Sequence, residues 1–265
     1  MHFPEYDRVI YSRNPLIQVA CKLTFPPILK IAHQEPFDFQ DEIRSHYPLY
    51  ENIKMQLPPE FSQMAQKLNL PVVGDVCHNF KSEDQRWQLS ITKDFIVLTT
   101  SAYERYEQFQ GRFKEIIDIF ERLYQPSFYT RVGIQYRDLI VRSKLGIEDK
   151  KWSDLITKHI ASELYDPEMA ASVRFMNKSL VLDMDVGQIN LNHGLVAVTE
   201  GDAIQDEIAY LLDADFYVDQ KIERTEDVWN LLNQFNKSAG KTFRWSITDI
   251  LHNAMEPKSV NDTES

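Results

Sequence analysis

The chain reads as an α+β protein in which an antiparallel sheet packs against long amphipathic helices, and three observations predict this class. Over residues 127–141, "SFYTRVGIQYRDLIV", Phe128, Thr130, Val132, Ile134, Tyr136 and Ile140 alternate with Tyr129, Arg131, Gly133, Gln135, Arg137 and Val141. That is the period of two of a strand with one apolar and one polar face. Just before it, Tyr106, Phe109, Phe113, Ile116, Ile117, Phe120 and Tyr124 recur at steps of three and four, the stripe of a helix that buries one side. In the second part of the chain, strand-like runs are again followed by a helical stripe, Val228, Leu231, Leu232 and Phe235. This suggests two similar halves, 1–143 and 144–255, intimately packed, with 256–265 a disordered tail.

Taken in order, residues 1–13 form an arm and 16–25 a first strand, closed by Pro26 and Pro27, which cannot extend a ladder. A short helix follows over 38–47. Prolines 48, 58, 59 and 71 break the next stretch into a loop with a helical turn near 61–68. Residues 87–91 and 95–100 read as a hairpin turning at Lys93 and Asp94. The aromatic helix ends at Pro126, and Gly133 in the strand beyond it marks a bulge or a close approach. After the "KLGIEDKK" joint at 144–151 the pattern predicts a helix over 152–164 and strands at 171–176, 180–186, 189–192 and 195–199, the last two separated by an "NHG" turn. A strand over 208–218, a helix capped by Thr225, and a last helix begun by a box at Ser246 and Asp249 complete the chain.

Composition narrows the function classes. A chain of 265 residues, 43% of them hydrophobic, can bury a sizeable core. No run approaches the roughly 18–20 apolar residues of a membrane helix, and the first residues lack a secretory apolar core; a cytosolic protein is expected. Cys21 and Cys77 lack C-x-x-C spacing, so both are expected reduced and buried. The net charge is −11, and residues 151–265 hold 20 acidic against 10 basic side chains. Such a surface disfavours phosphate backbones and attracts a basic protein partner.

The polar group that stands out is Asp183 and Asp185 in "LVLDMDV" with Asp213 and Asp215 in "LLDADFYV". Period two puts each pair on one strand face. If those strands are neighbours the four carboxylates cluster, and a divalent metal or arginines must offset them. A metal would support phosphodiester hydrolysis through an activated water; the structural alternative pairs the aspartates with Arg131, Arg137 and Arg174. Arg131, Gln135, Arg137, Asp183, Asp185, Asp213 and Asp215 are therefore the candidate binding residues, on a polar sheet face. No catalytic or metal residue and no cofactor is assigned. His193 beside the "NHG" turn is expected in a hairpin loop, and His159 and His252 lack an i+4 ligand partner. Phosphate-loop, dinucleotide, zinc-protease and nucleophile-elbow motifs are absent, and glycines number only 8.

Four segments, "NPLIQVACKLTFP" (14–26), "RVGIQYRDLI" (131–140), "LLDADFYV" (211–218) and "LLNQFNKSAGKTFRWSITDIL" (231–251), together resemble a sporadically distributed family of uncharacterised bacterial proteins. In that family an N-P-L strand opens the chain, an R-x-G-L-R-Y type strand lies near the middle, and a long helix followed by I-T-D lies near the end. Ile134 and Gln135 stand where the family usually has leucine and arginine. The resemblance implies a bacterial source and one compact unit, and its sporadic distribution suits defence-related gene neighbourhoods. The function expected is non-catalytic: an accessory, regulatory or antitoxin-like protein that recognises another protein. The alternatives are the metal-dependent hydrolase, a small-ligand sensor with its pocket beside the 48–71 loop, and nucleic-acid binding through Arg131, Arg137, Arg142, Lys144, Lys150 and Lys151.

Overall fold

The computed structural model describes residues 1–54, 76–200 and 203–259. Strands β1 (Val9–Tyr11) and β2 (Leu16–Thr24) are followed by helices α1 (Leu29–His33) and α2 (Phe37–Ile43). Next come β3 (Leu49–Lys54), β4 (Val76–Lys81), β5 (Trp87–Ile91), β6 (Phe95–Thr100), α3 (Tyr106–Tyr124) and β7 (Arg131–Ile140). Short helices α4 (Arg142–Leu145), α5 (Trp152–Leu155) and α6 (Pro167–Ser172) precede β8 (Met176–Asp183), β9 (Gln188–Glu200) and β10 (Ala203–Val218). The described chain closes with α7 (Thr225–Ser246), α8 (Asp249–Ala254) and β11 (Pro257–Ser259). The architecture is mixed, with a large antiparallel sheet in the order β3-β4-β5-β6-β2-β7-β10-β9-β8 and a small one of β1 and β11. Helices α3 and α7 have 19 and 22 residues; the other described α-helices have four to seven. Among the described residues no helix is long and apolar enough to cross a membrane.

Two compact units are each assembled from separated segments, whereas the sequence reading divided the chain at 143/144. One unit takes in 1–19, 133–218 and 229–265, the other 20–132 and 219–228. In the second unit α3 buries Tyr106, Phe109, Phe113, Ile116, Ile117 and Phe120. Phe120 lies 5.0 Å from Phe25 and Phe109 stacks 5.9 Å from Trp87, so the helical stripe meets inward residues of the strands. Gln125 takes a left-handed φ of 49° and Pro126 follows, which ends the helix. Beyond it, Tyr129 bridges Ile222, and its hydroxyl donates to Glu121, which also accepts from Thr225. The hairpin at 87–100 forms as predicted, with Thr92 Oγ1 accepting the Phe95 N–H at 3.1 Å to close the turn.

In the first unit the pleat of β7 sends Ile134, Tyr136 and Ile140 into the core and turns Gln135 and Arg137 to the other face. Tyr136 lies edge-on to Phe216, 6.5 Å away, and its hydroxyl donates to Asn236 of α7 at 2.9 Å. Gly133 leaves room for β10: a Cβ there would meet Tyr217 Cβ at 3.2 Å and Phe216 O at 3.3 Å. The mid-strand glycine therefore marks a close approach between strands.

Several local expectations change. Residues 152–164 form no continuous helix, because Ile156 bridges Ile247 and takes its backbone out of the helical ladder; a 3₁₀ turn, Ser162–Tyr165, follows. Of the strand expected at 171–176 only Met176 is in a strand, as the first residue of β8; residues 171 and 172 belong to α6, which Asp166 caps by accepting the Met169 N–H and whose first turn Pro167 suits. Leu49–Lys54, assigned to a loop, pairs with β4; the helical turn expected at 61–68 lies outside the described residues. Thr248, not Ser246, caps α8. Part of the expected tail is ordered, since Tyr11 pairs with Pro257 and Val9 with Ser259.

The "NHG" segment is not a turn. His193 pairs with Leu212 on one side and Lys178 on the other, and Gly194 likewise with Leu211 and Asn177, in the middle of β9. A Cβ on Gly194 would stand 1.8 Å from Met176 O, so only glycine lets β8 come this close. The substitution Gly194→Ala is expected to cost about 2–3 kcal/mol, as over-packing does. It should also speed amide exchange in β8 more than in β5, as hydrogen-exchange mass spectrometry will show.

Candidate functional site

The polar face of the first unit is built on β7 and β10, and its centre is Asp213. The Asp213 carboxylate accepts from Gln135 Nε2 at 2.5 Å on one oxygen, and from Arg137 Nε at 3.0 Å and Nη2 at 2.8 Å on the other. Arg137 Nη1 donates to Gln18 Oε1 at 3.2 Å. The Asp213 side chain is only 10% exposed and that of Arg137 38%. Period two supplies the placement: Gln135 and Arg137 share one face of β7, and Asp213 projects from the strand beside it. The guanidinium and the amide thus satisfy the carboxylate, and the group is closed upon itself.

The other candidates have further neighbours. Arg131 donates to both oxygens of Asp219 at 2.8 Å, in the second unit. Asp183 accepts from Gln188 Nε2 at 2.8 Å, and Asp185 lies 3.0 Å from His2 Nδ1. Asp215 lies beside Gly133. The condition for a four-carboxylate cluster fails because β9 lies between β8 and β10, so Asp183 stands at least two strand spacings, about 9–10 Å, from Asp213 and Asp215, and Asp185 lies beyond the end of β8. Among the described residues no three His, Cys, Asp or Glu side chains gather as a metal site requires. Cys21 is buried and Cys77 half-buried; both are free thiols.

Two polar features go unmarked in the sequence reading, and a third, His193, is misplaced by it. Asp138 sits in phase with the apolar side of β7, and only 9% of it is exposed. Burial, reinforced by the charge of Asp213, pushes its carboxyl up to about 8. The signal was present in the alternation, since position 138 follows Ile134 and Tyr136 in the inward series. Tyr11 accompanies it, raised to about 12 mainly by burial and also by Asp138, and 2.8 Å from His252 Nδ1. The third feature is His193, which is buried in β9 rather than exposed in a loop: its Nδ1 lies 2.8 Å from Tyr210 Oη, and its Nε2 has no partner among the described residues. Burial and the nearby Lys178 push its imidazole down to about 4, so it is neutral at pH 7 and is no exposed titrating group.

The second unit holds a cleft of about 360 Å³ lined by residues of α1 and α2, the link between them, and the end of α3. Lys30, His33, Glu35 and Asp38 are among its lining residues, and the Lys30 ammonium lies 5.6 Å from the Tyr124 ring centre. The region proposed for a sensor pocket, beside 48–71, falls largely outside the described residues. No family model matches the chain, and no curated protein matches it.

Removing the Arg137 guanidinium strands a carboxylate with little access to water, whereas Asp219, which pairs with Arg131, is 58% exposed. Arg137→Met is expected to cost about 3 kcal/mol and to couple to Asp213→Asn, while Arg131→Met costs under about 1 kcal/mol. Urea unfolding of the singles and the double mutant measures this; additive losses for Arg137 and Asp213 would show that they do not interact.

Asp138 supplies a pH dependence of definite sign. Its folded pKa of about 8 lies above the ordinary 3.8, so its contribution to stability is full below about pH 4 and is lost as pH rises through 8. Relative to Asp138→Asn, the wild type should lose roughly 3–4 kcal/mol between pH 5 and pH 8. Equal pH profiles for the two proteins would contradict the assignment.

Proposed function

We propose that the chain is a non-catalytic component that recognises another protein, in an accessory, regulatory or antitoxin-like role. The observation that carries this reading is the surface at β8, the end strand of the large sheet. Val181 is 59% exposed and Leu180 41%, and Phe175, on the segment leading into the strand, is 69% exposed. Leu180 and Val181 project to opposite faces of the sheet, so apolar surface is exposed on both sides of this end strand, which supports an interaction along its edge.

The polar face supports the same reading by how its groups are used. Arg137, Gln135 and Gln18 are spent on Asp213 and on one another. That arrangement holds strands together and presents no nucleophile beside a base, the pairing covalent catalysis needs. Most of the cations in the basic stretch 131–151 are likewise engaged. Arg131 pairs with Asp219, Arg142 lies over Trp152 and donates to the Lys150 carbonyl, and Lys150 pairs with Asp149. Phosphate recognition needs such cations turned outward.

Two substitutions at exposed positions test the role without disturbing the core. A tagged protein carrying Leu180→Lys and Val181→Lys is expected to fold, each exposed change costing within about 0.5 kcal/mol. Its recovery of the proteins that co-purify with the wild type from the native cell should fall at least about tenfold, a loss of about 1.4 kcal/mol. Undiminished recovery by the folded variant would remove the reading.

A further inference from the structure

The β8 surface is a strand edge with little of the usual protection: Lys178 and Asp183 are its charges, and the Met1 amino group donates to the Asp183 carbonyl at one end. Sheets keep edge strands from pairing with other chains by proline, by bulges, by short length or by charges on the strand. β8 is eight residues long, contains no proline, and keeps an unbroken register with β9 from Met176–Leu195 to Asp183–Gln188. Its one cation, Lys178, is drawn to Glu163 at 2.7 Å. The run Ser179, Leu180, Val181, Leu182 carries no charge. Among the described residues no strand pairs with the other side of β8.

We infer that β8 accepts an extended, basic segment of a protein partner as an added strand; this rests on the recognition role proposed above. Main-chain hydrogen bonds along the free edge supply affinity, and the pleat supplies selection. Met176, Lys178, Leu180 and Leu182 lie on the face where their β9 partners Leu195, His193, Leu191 and Ile189 are buried. Apolar residues of the incoming strand on that side continue the core over Leu180. On the opposite face Asn177, Ser179, Val181 and Asp183 present polar groups around one methyl-bearing side chain. The charge of the incoming residues follows from the surroundings. Residues 163–187 hold Glu163, Asp166, Glu168, Asp183 and Asp185 against Arg174 and Lys178, and Asp185 is 72% exposed. Opposite charges on neighbouring strands attract and like charges repel, so alternating apolar and lysine or arginine residues fit.

The test uses the full chain and three eight-residue peptides: alternating valine and lysine, alternating valine and glutamate, and the lysine peptide with all its amides N-methylated. Fluorescence anisotropy should show the lysine peptide binding at least about tenfold more tightly than either other peptide. Hydrogen exchange should slow at amides of 176–183 on binding, and Val181→Lys should weaken binding of the lysine peptide. Equal binding of the glutamate peptide, binding that survives N-methylation, or unchanged exchange in β8 would overturn strand addition. A concentration-dependent dimer that Val181→Lys disperses and the lysine peptide does not enter would overturn it in favour of a second copy of the chain. If no peptide binds while partner recovery still depends on Leu180 and Val181, strand addition fails and the recognition role stands; if both fail, so does that role.

Discussion

The two-residue pleat of β7 is the constraint on which the rest of the first unit depends. Once Ile134, Tyr136 and Ile140 face the core, every intervening residue must face the other way. Gln135 and Arg137 are thereby placed beside β10, where Asp213 receives both. A slip of one residue would bury the guanidinium and expose the aromatic ring. The same rule places Asp138 inward, so a carboxyl enters the apolar layer as a consequence of register. Burial then holds its proton.

Burial also decides which ion pairs matter. Arg137–Asp213 and Arg131–Asp219 look alike by distance, both at 2.8 Å. They differ in solvent access: Asp213 is 10% exposed and Asp219 58%. Water can replace the partner of Asp219, but it reaches Asp213 poorly. Removing the partner therefore has a large effect in one case and a small one in the other, because an unpaired buried charge keeps little solvation. The polar face so joins strands through side chains as well as through backbone.

Close backbone approach sets the far side of the same sheet. Gly194 lets β8 lie against β9 where any larger residue would meet Met176 O. His193 is carried inward beside Tyr210, out of water and neutral. With its inner side fixed, β8 leaves an uncharged central run on its outer side. An edge of that kind invites pairing, and natural sheets usually prevent it; leaving it lightly guarded is consistent with use.

The sequence by itself determined the elements whose signal is local. The alternation in β7, the aromatic stripe of α3 and the hairpin at 87–100 follow from period and turn chemistry within a few residues. Their pattern also assigned Gln135, Arg137 and Asp213 to polar faces. Tertiary structure decided the rest, because neighbours across a sheet leave no trace in local spelling. β9, placed between β8 and β10, separates Asp183 from Asp213. "NHG" has the composition of a turn, yet two flanking strands supply Gly194 with partners and hold it extended. The helix expected at 152–164 yields to a bridge with Ile247, about ninety residues away. Local propensities of about 1 kcal/mol or less per residue give way where long-range hydrogen bonds and packing offer more.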